Sequence, residues 1–336
     1  MDPFERVSIG RTGLAVTRLG LGGAPIGGQD MGGGLYPGAT YEDAVATIRR
    51  GYELGITHFD TAPLYGQGRS EVRFGAVLSN VPRDSFVLST KVGRVLDRDT
   101  ENPGTHQPEG IPHLNPVFDL SRDGILRSLE ESLKRLNLDR VDILYLHDPD
   151  VEPGLENKAS ATAFPTMLEL REQGTVKAIG TGMNQWQMPA RFIREFELDI
   201  VLLAGRYTLL DHDAYEEFLP LCVERGVKLS IGGPYNSGIL AGDPRRPTTF
   251  NYEQAPKEWV EKASAIKDVC DRHNVDLRAA ALQFPLAHPA VATVIPGART
   301  PREVEENAEL LRTSIPARLW EDLRNEGLIP KDAPTF

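Results

Sequence analysis

Asp60 and Tyr65 stand five positions apart in "HFDTAPLYG", directly after a short apolar run. A carboxylate and a phenol are both titratable, yet neither is a common partner of the other. Two more ionisable residues close apolar runs in the same way: Lys91 ends "FVLSTK" and His147 ends "DILYLH". Together these four side chains could move a proton. A phenol has an ordinary pKa of about 10, too high for a base at neutral pH, and an adjacent cation lowers it by ~1–3 units. On this reading Lys91 is the cation, Asp60 holds its ammonium, and a neutral His147 hydrogen-bonds a substrate oxygen. Such a set would take a proton from an alcohol, or give one to a carbonyl, while hydride moves to or from a nicotinamide. The bland alternative is a structural Asp–Lys ion pair beside a satisfied histidine. Four residues converging at run ends favour the chemistry.

That chemistry requires the run ends to meet in space. The chain alternates short apolar, β-rich runs with longer amphipathic stretches. The candidate strands are "RLGLGG" (18–23), "THFDT" (57–61), "FVLSTK" (86–91), "DILYLH" (142–147), "KAIGTG" (177–182), "DIVLLA" (199–204), "KLSIG" (228–232) and "ATVIP" (292–296). Helical patterns lie between them, at 41–55 and at 121–138. The second has Ser121 as N-cap and Ile125, Leu129, Leu133 and Leu136 on one stripe. Eight β-then-α units imply parallel strands covered by helices. The 336 residues suit a single (β/α)8 TIM barrel spanning 1–336, which takes roughly 250 residues and leaves enough for an N-terminal β-hairpin and extra C-terminal helices. The hairpin is read from "RVSIGRTGLAV" and could plug the lower end of the barrel.

In such a barrel, active-site groups sit at the C-terminal ends of strands. Side chains alternate between strand faces, so Ile56, His58 and Asp60 share a face, as do Val87, Ser89 and Lys91, and Ile143, Tyr145 and His147. A doubly wound sheet is the rival fold, but it would bring a G-x-G-x-x-G turn. "GTGMNQ" and "GLGGAP" have Gln185 and Pro25 where the third glycine belongs.

Composition narrows the class of partner. A net charge of −11 argues against a nucleic-acid or anionic-membrane surface, though an acidic total does not exclude one basic pocket; the partner expected from the acid–base set is a small-molecule substrate. Cys222 and Cys270 lack a C-x-x-C spacing and read as reduced helix cysteines. No apolar run approaches the ~20 residues needed to span a bilayer, and "MDPFERVSIGRTG" is too polar for a signal peptide. A cytoplasmic protein is expected.

The sequence resembles the aldo-keto reductase superfamily over nearly the whole chain. "GITHFDTAPLYGQGRSE" (55–71) is similar to the family signature around its Asp and Tyr, "LSTKVG" (88–93) to the segment with its Lys, and "LYLHDPD" (144–150) to the one with its His. "GRYTLLD" (205–211) and "GGPYNSGIL" (232–240) resemble the branch of NAD(P)-dependent aldose 1-dehydrogenases, including the L-fucose and pyridoxal 4-dehydrogenase types. The resemblance implies catalysis by Asp60, Tyr65, Lys91 and His147. It places Gly23, Asp60, Asn184, Gly232, Pro234, Asn236, Gly238, Gly297, Arg299, Glu303 and Asn307 along the cofactor. Asn184 corresponds to the Asn that binds the nicotinamide carboxamide, and Asn307 lies near the adenine. Ala204 stands where the family often has Gln, and Gly232 where it usually has a ring-stacking aromatic; Tyr235 is a candidate substitute or a loop packing residue. Gly297 and Glu303 occupy the positions where NADP-preferring members carry Lys and Arg. NAD is therefore expected, with Arg299 and Arg302 near enough to allow NADP.

The same resemblance leads to an NAD(P)-dependent oxidoreductase acting on the C1 hydroxyl of a cyclic aldose. Ala24, where many members have Trp, widens the entrance. The loop from Gly93 to Phe118 reads as a lid or a surface excursion, and it offers Arg94, Asn102, His106, His113 and Asn115 to hydroxyl groups. "HQPEGIPH" (106–113) is too turn-rich for a metal site, and no metal is expected. Trp186 could line the pocket or pack a helix. The alternatives are a general aldehyde reductase, a pyridoxal dehydrogenase, or a cofactor-bound accessory subunit of a membrane channel. The absence of an extended N-terminal interaction segment favours the enzyme.

Overall fold

The eight apolar runs form strands, each parallel to the one before it. In the computed structural model, which describes residues 1–28 and 38–336, they are β1 (Leu21–Gly22), β2 (His58–Asp60), β3 (Val87–Val92), β4 (Ile143–His147), β5 (Ala178–Met183), β6 (Ile200–Ala204), β7 (Lys228–Gly232) and β8 (Val291–Ile295). They stand in the sheet in chain order. Hydrogen bonds then join the two ends: Gly20 N–H donates to Val294 O, and Val294 N–H to Arg18 O, both at 2.9 Å. Parallel bridges pair Leu19 with Val294 and Gly22 with Gly297. The sheet closes into a (β/α)8 barrel. A doubly wound sheet, whose order reverses partway, is excluded.

Glycine makes the seam possible. A Cβ on Gly20 would lie 2.6 Å from Ile295 Cγ2, and one on Gly22 would lie 2.8 Å from Ile295 O. β1 is shorter than the "RLGLGG" run because it meets β8 through isolated bridges rather than a continuous ladder.

The helices form where periodicity and caps agree. In α1 (Tyr41–Leu54) the Thr40 side chain accepts from Asp43 N–H, and Gly55 ends the helix at φ 106°. After α2 (Arg69–Leu78) comes α3 (Arg122–Leu136), where Ser121 accepts from Gly124 N–H and Asn137 stops the helix at φ 52°. Ile125, Leu129 and Leu136 are buried against the sheet, and Leu133 is partly buried. Ile56, expected on the inner face of β2, instead precedes the strand and joins the outer core between sheet and helices.

The strands Arg6–Ile9 and Leu14–Thr17 pair antiparallel. Their Ile9, Leu14 and Val16 pack with Val87, Ile143, Ala178, Ile200 and Ala292. The last group lies at or near the N-terminal ends of barrel strands, so the hairpin plugs the barrel floor. After β8 come the helices Pro301–Arg312 and Ala317–Asn325, the second against helix Lys257–Arg272. Cys222 and Cys270 are free, buried and helical. Among the described residues no helix is long and apolar enough to cross a membrane.

The loop after β3 is itself structured. Arg94–Arg98 and Leu114–Phe118 form an antiparallel hairpin. Its far end is tied down by Glu109, whose side chain is buried and whose Oε1 lies 2.6 Å from Arg73 of α2. Arg73 also donates to the Ala39 carbonyl at 3.0 Å, so one guanidinium links loop, α2 and the start of α1.

Candidate active site

Register brings the ionisable residues together. Asp60 of β2 lies opposite Ser89 of β3, and Lys91 of β3 opposite Tyr145 of β4, whose strand ends two residues later at His147. Lys91 Nζ donates to Asp60 Oδ2 at 2.7 Å and to Thr61 O at 2.9 Å. Ser89 Oγ donates to Asp60 Oδ1 at 2.7 Å, which leaves each carboxylate oxygen with a partner. Both charges are buried, with 1% and 2% of the side chains exposed. Gly182 faces the lysine chain, and a Cβ there would make an ordinary contact with Lys91 Cε at 3.4 Å. Tyr65 sits above: Lys91 Nζ is 4.5 Å from the centroid of its ring, and His147 meets it edge-on at 5.9 Å and 90°.

These surroundings set the protonation states. Burial pushes Asp60 up, against the pull of Lys91 and Ser89. His147 is driven well below the usual imidazole value by burial, then by Lys91 and Arg94, so it is neutral at physiological pH. The phenol departs from the sequence expectation. Tyr65 is raised well above its ordinary value, by burial first and then by Asp60 and Asp148, with Arg94 as the opposing cation. Burial is the main reason, and the position of Lys91 does not offset it. Lys91 lies over the ring face rather than at the hydroxyl, and its charge is already matched by Asp60. The cation steadies the ring without depressing the phenol.

A cavity of about 500 Å³ opens beside this set, lined by Asp60 and Tyr65 and also by Arg278, Glu306 and Asn307. Of the residues expected along a cofactor, Gly23, Asp60, Gly232, Pro234, Gly238, Gly297, Arg299, Glu303 and Asn307 line it. Asn184 stands beside it, its Oδ1 accepting from the hydroxyl of Tyr252, a lining residue, at 3.2 Å. Asn236 is not brought there. It is buried, its Oδ1 accepts from Thr208 Oγ1 at 2.5 Å, and its Nδ2 donates to Gly205 O at 3.1 Å, so its side chain is committed to the loop.

The lining suits a nicotinamide dinucleotide. Gly22, Gly23, Ala204 and Gly232 present no side chain beyond a Cβ, which leaves a shallow floor for a planar ring next to Tyr65. Tyr235 and Tyr252 also line the cavity. The Tyr235 hydroxyl donates to Asn307 Oδ1 at 2.7 Å, which orients the amide and leaves its Nδ2 to donate. Thr300 caps helix Pro301–Arg312 by accepting from Glu303 N–H. The Glu303 carboxylate accepts from Arg299 N–H at 2.7 Å and from its guanidinium at 2.8 Å. Arg302 and Arg278 both pair with Glu306.

Other sequence candidates fall elsewhere. Trp186 donates to Asp213 Oδ2 at 2.8 Å and packs near Phe218; it braces helices. His113 bonds the Asn102 carbonyl, and its ring lies 4.4 Å from that of His106. Asn115 is paired within the loop hairpin opposite Asp97. Of the polar loop residues, Arg94 reaches the end that carries His147, where its guanidinium donates to Asp148 Oδ2 at 3.1 Å. Ala24 lines the cavity. Tyr252 carries no local signal, since it sits at φ 65° in an irregular loop. Arg278 could have been found only through the Asp276 cap before it. Asp148 was visible in "LYLHDPD", next to the histidine.

Comparison with known proteins adds to this geometry. A sequence profile described as Aldo/keto reductase family matches residues 18–325. A pyridoxal 4-dehydrogenase from Microbacterium luteolum is 40% identical, with 97% of this chain and 98% of the relative aligned. A D-threo-aldose 1-dehydrogenase from a Pseudomonas species is also 40% identical, over 95% and 96%. Among solved structures, an aldo-keto reductase from Bacillus halodurans superposes with a TM-score of 0.74 at 23% identity, covering 99% of this chain and 98% of the other. A glycerol dehydrogenase from Gluconobacter oxydans gives 0.74 at 23%, covering 100% and 99%. At that identity the structures speak for the fold.

Proposed function

The chain belongs to the Aldo/keto reductase family and is an oxidoreductase, and on that premise we propose that it oxidises the C1 hydroxyl of a cyclic aldose to a lactone. The observation that carries this reading is the 40% identity, over nearly the whole chain, to a protein named D-threo-aldose 1-dehydrogenase, joined to an acid–base set at the mouth of a cavity suited to a dinucleotide. The nicotinamide would accept the C1 hydride. Tyr65 takes the hydroxyl proton, His147 hydrogen-bonds the reacting oxygen as a neutral donor, and the Lys91–Asp60 pair holds the phenol ring from below. The loss of one hydride and one proton leaves the C1 carbonyl of a lactone.

NAD is the proposed cofactor. The Glu303 carboxylate lines the cavity and already binds Arg299, so it opposes a phosphate dianion and suits ribose hydroxyls. Gly297 offers no cation. Asn184, Tyr235 and Asn307 are assigned to holding the dinucleotide, and Gly23, Gly232, Pro234, Gly238 and Gly297 to giving its backbone room.

A second reading rests on the other relative at 40% identity, named pyridoxal 4-dehydrogenase. Pyridoxal also closes to a cyclic hemiacetal, so its oxidation needs the same proton and hydride removal. The two readings are separated by assaying D-arabinose, L-fucose, pyridoxal and simple aldehydes with both cofactors, following absorbance of the reduced nicotinamide. Aldose oxidation with NAD is expected. Efficient aldehyde reduction without aldose oxidation would refute the sugar assignment.

A further inference from the structure

Beside the acid–base set lies a second charged pair, Arg94 and Asp148, with 13% and 14% of their side chains exposed. Arg94 opens the loop hairpin directly after Gly93, which turns the chain at φ 97°. Asp148 follows His147 in the left-handed region at φ 42°, and its N–H donates to Gly182 O at 3.1 Å. The guanidinium is fixed from two sides, bonded to Asp148 Oδ2 at 3.1 Å and stacked 4.5 Å over the Phe118 ring. That same Oδ2 lies 3.5 Å from His147 Nε2. Besides Arg94, the charges acting on this carboxylate are Asp150 and Lys91, the neutral His147 ring faces it, and it in turn helps to raise the Tyr65 phenol.

The pair has unused capacity. Among the described residues Asp148 Oδ1 accepts no hydrogen bond, and Arg94 Nε is buried without a partner. An ionised carboxylate offers about four acceptor sites, and a half-filled one next to the imidazole at the reacting oxygen is placed to bind substrate. Vicinal oxygens on a sugar lie about a hydrogen-bond length apart, so a substrate whose reacting oxygen meets His147 Nε2 carries its neighbouring oxygen toward the Asp148 carboxylate, whose Oδ2 is 3.5 Å from that nitrogen.

We propose that Asp148, positioned by Arg94, recognises a hydroxyl group on the substrate carbon next to the one that reacts. With the aldose reading, on which the choice of substrate class rests, this is the C2 hydroxyl. A site built to hydrogen-bond a hydroxyl rejects the analogue lacking it, because its own buried polar atoms are then left unpaired.

The test uses two substrate pairs that differ by one hydroxyl group. D-arabinose and 2-deoxy-D-ribose are oxidised with NAD, and 2-hydroxypropanal (lactaldehyde) and propanal are reduced with NADH. Wild type is expected to favour the hydroxylated member by about 30-fold or more in kcat/KM. Asp148→Ala should collapse that ratio to about three-fold or less, and any loss common to both members cancels in it. Asp148→Asn, which keeps an acceptor oxygen and tolerates the left-handed backbone, should restore part of the preference. A ratio unchanged by Asp148→Ala, or no preference in wild type, overturns the proposal. If wild type oxidises neither pentose, the aldose reading fails, while the lactaldehyde–propanal ratio still decides the role of Asp148.

Discussion

At the scale of single residues, the phenol is the group on which the proposed chemistry turns. The Tyr65 ring is held between a lysine on its face and a histidine at its edge, so its position outlasts the loss of its hydroxyl. Tyr65→Phe therefore isolates proton transfer. It should lower kcat by about 100-fold or more while cofactor affinity, measured by fluorescence titration, changes little. Near-normal turnover would remove Tyr65 from the relay. The raised phenol also fixes the sign of the pH dependence. As the proposed base in oxidation Tyr65 must be deprotonated, and burial, Asp60 and Asp148 all resist that. Aldose kcat/KM should rise from about pH 7 to pH 10, whereas aldehyde reduction, which needs the protonated phenol, should fall at the alkaline end. An oxidation rate already flat at neutral pH would show that another group limits the reaction.

At the scale of elements, strand ends were legible in the sequence and loops were not. Alternation along a strand decides which side chains share a face, so the meeting of Asp60, Lys91 and His147 followed once the runs were read as neighbouring strands. Tyr65 came with them because it lies in the loop directly above β2. Loop residues follow no such period. Glu109 is buried because Arg73, 36 positions earlier, reaches it, and Asn236 turned inward toward Thr208 and Gly205 instead of the cavity. The phenol's shift was misjudged for a related reason: spacing placed Lys91 near Tyr65 but did not say which part of the ring it would meet. The start of helix Pro301–Arg312 gives this scale its prediction. Its carboxylate at Glu303 both accepts from the Arg299 backbone and neutralises the guanidinium. Glu303→Gln should free that cation and raise the NADP-to-NAD ratio of kcat/KM by about ten-fold, which is roughly 1.4 kcal/mol. An unchanged ratio would mean that Glu303 does not face the ribose.

At the scale of the whole molecule, the barrel separates stability from chemistry along its axis. The charged set occupies the C-terminal strand ends, where its buried ion pair does little for stability after desolvation. The opposite end is sealed by apolar packing: Ile9 and Val16 of the hairpin are fully buried, and with Leu14 they meet Val87, Ile143, Ala178, Ile200 and Ala292. The pattern of eight alternating units made the barrel readable from sequence, and the short alternating runs around "GRTG" made the plug readable too. The β1–β8 seam was harder to foresee, since it depends on glycines tolerating a backbone approach that no side chain announces. The division of labour implies that the two ends respond independently to substitution. Ile9→Ala removes buried methyl groups from the floor and leaves a cavity there, which costs about 2–5 kcal/mol. Urea unfolding should show that loss as a lowered midpoint with an unchanged slope. The folded fraction should keep kcat and KM within about two-fold, because nothing at the mouth has moved. A large fall in kcat without a shift in midpoint would mean that the floor communicates with the site, and the barrel would then be one cooperative device rather than a sealed base carrying an independent active end.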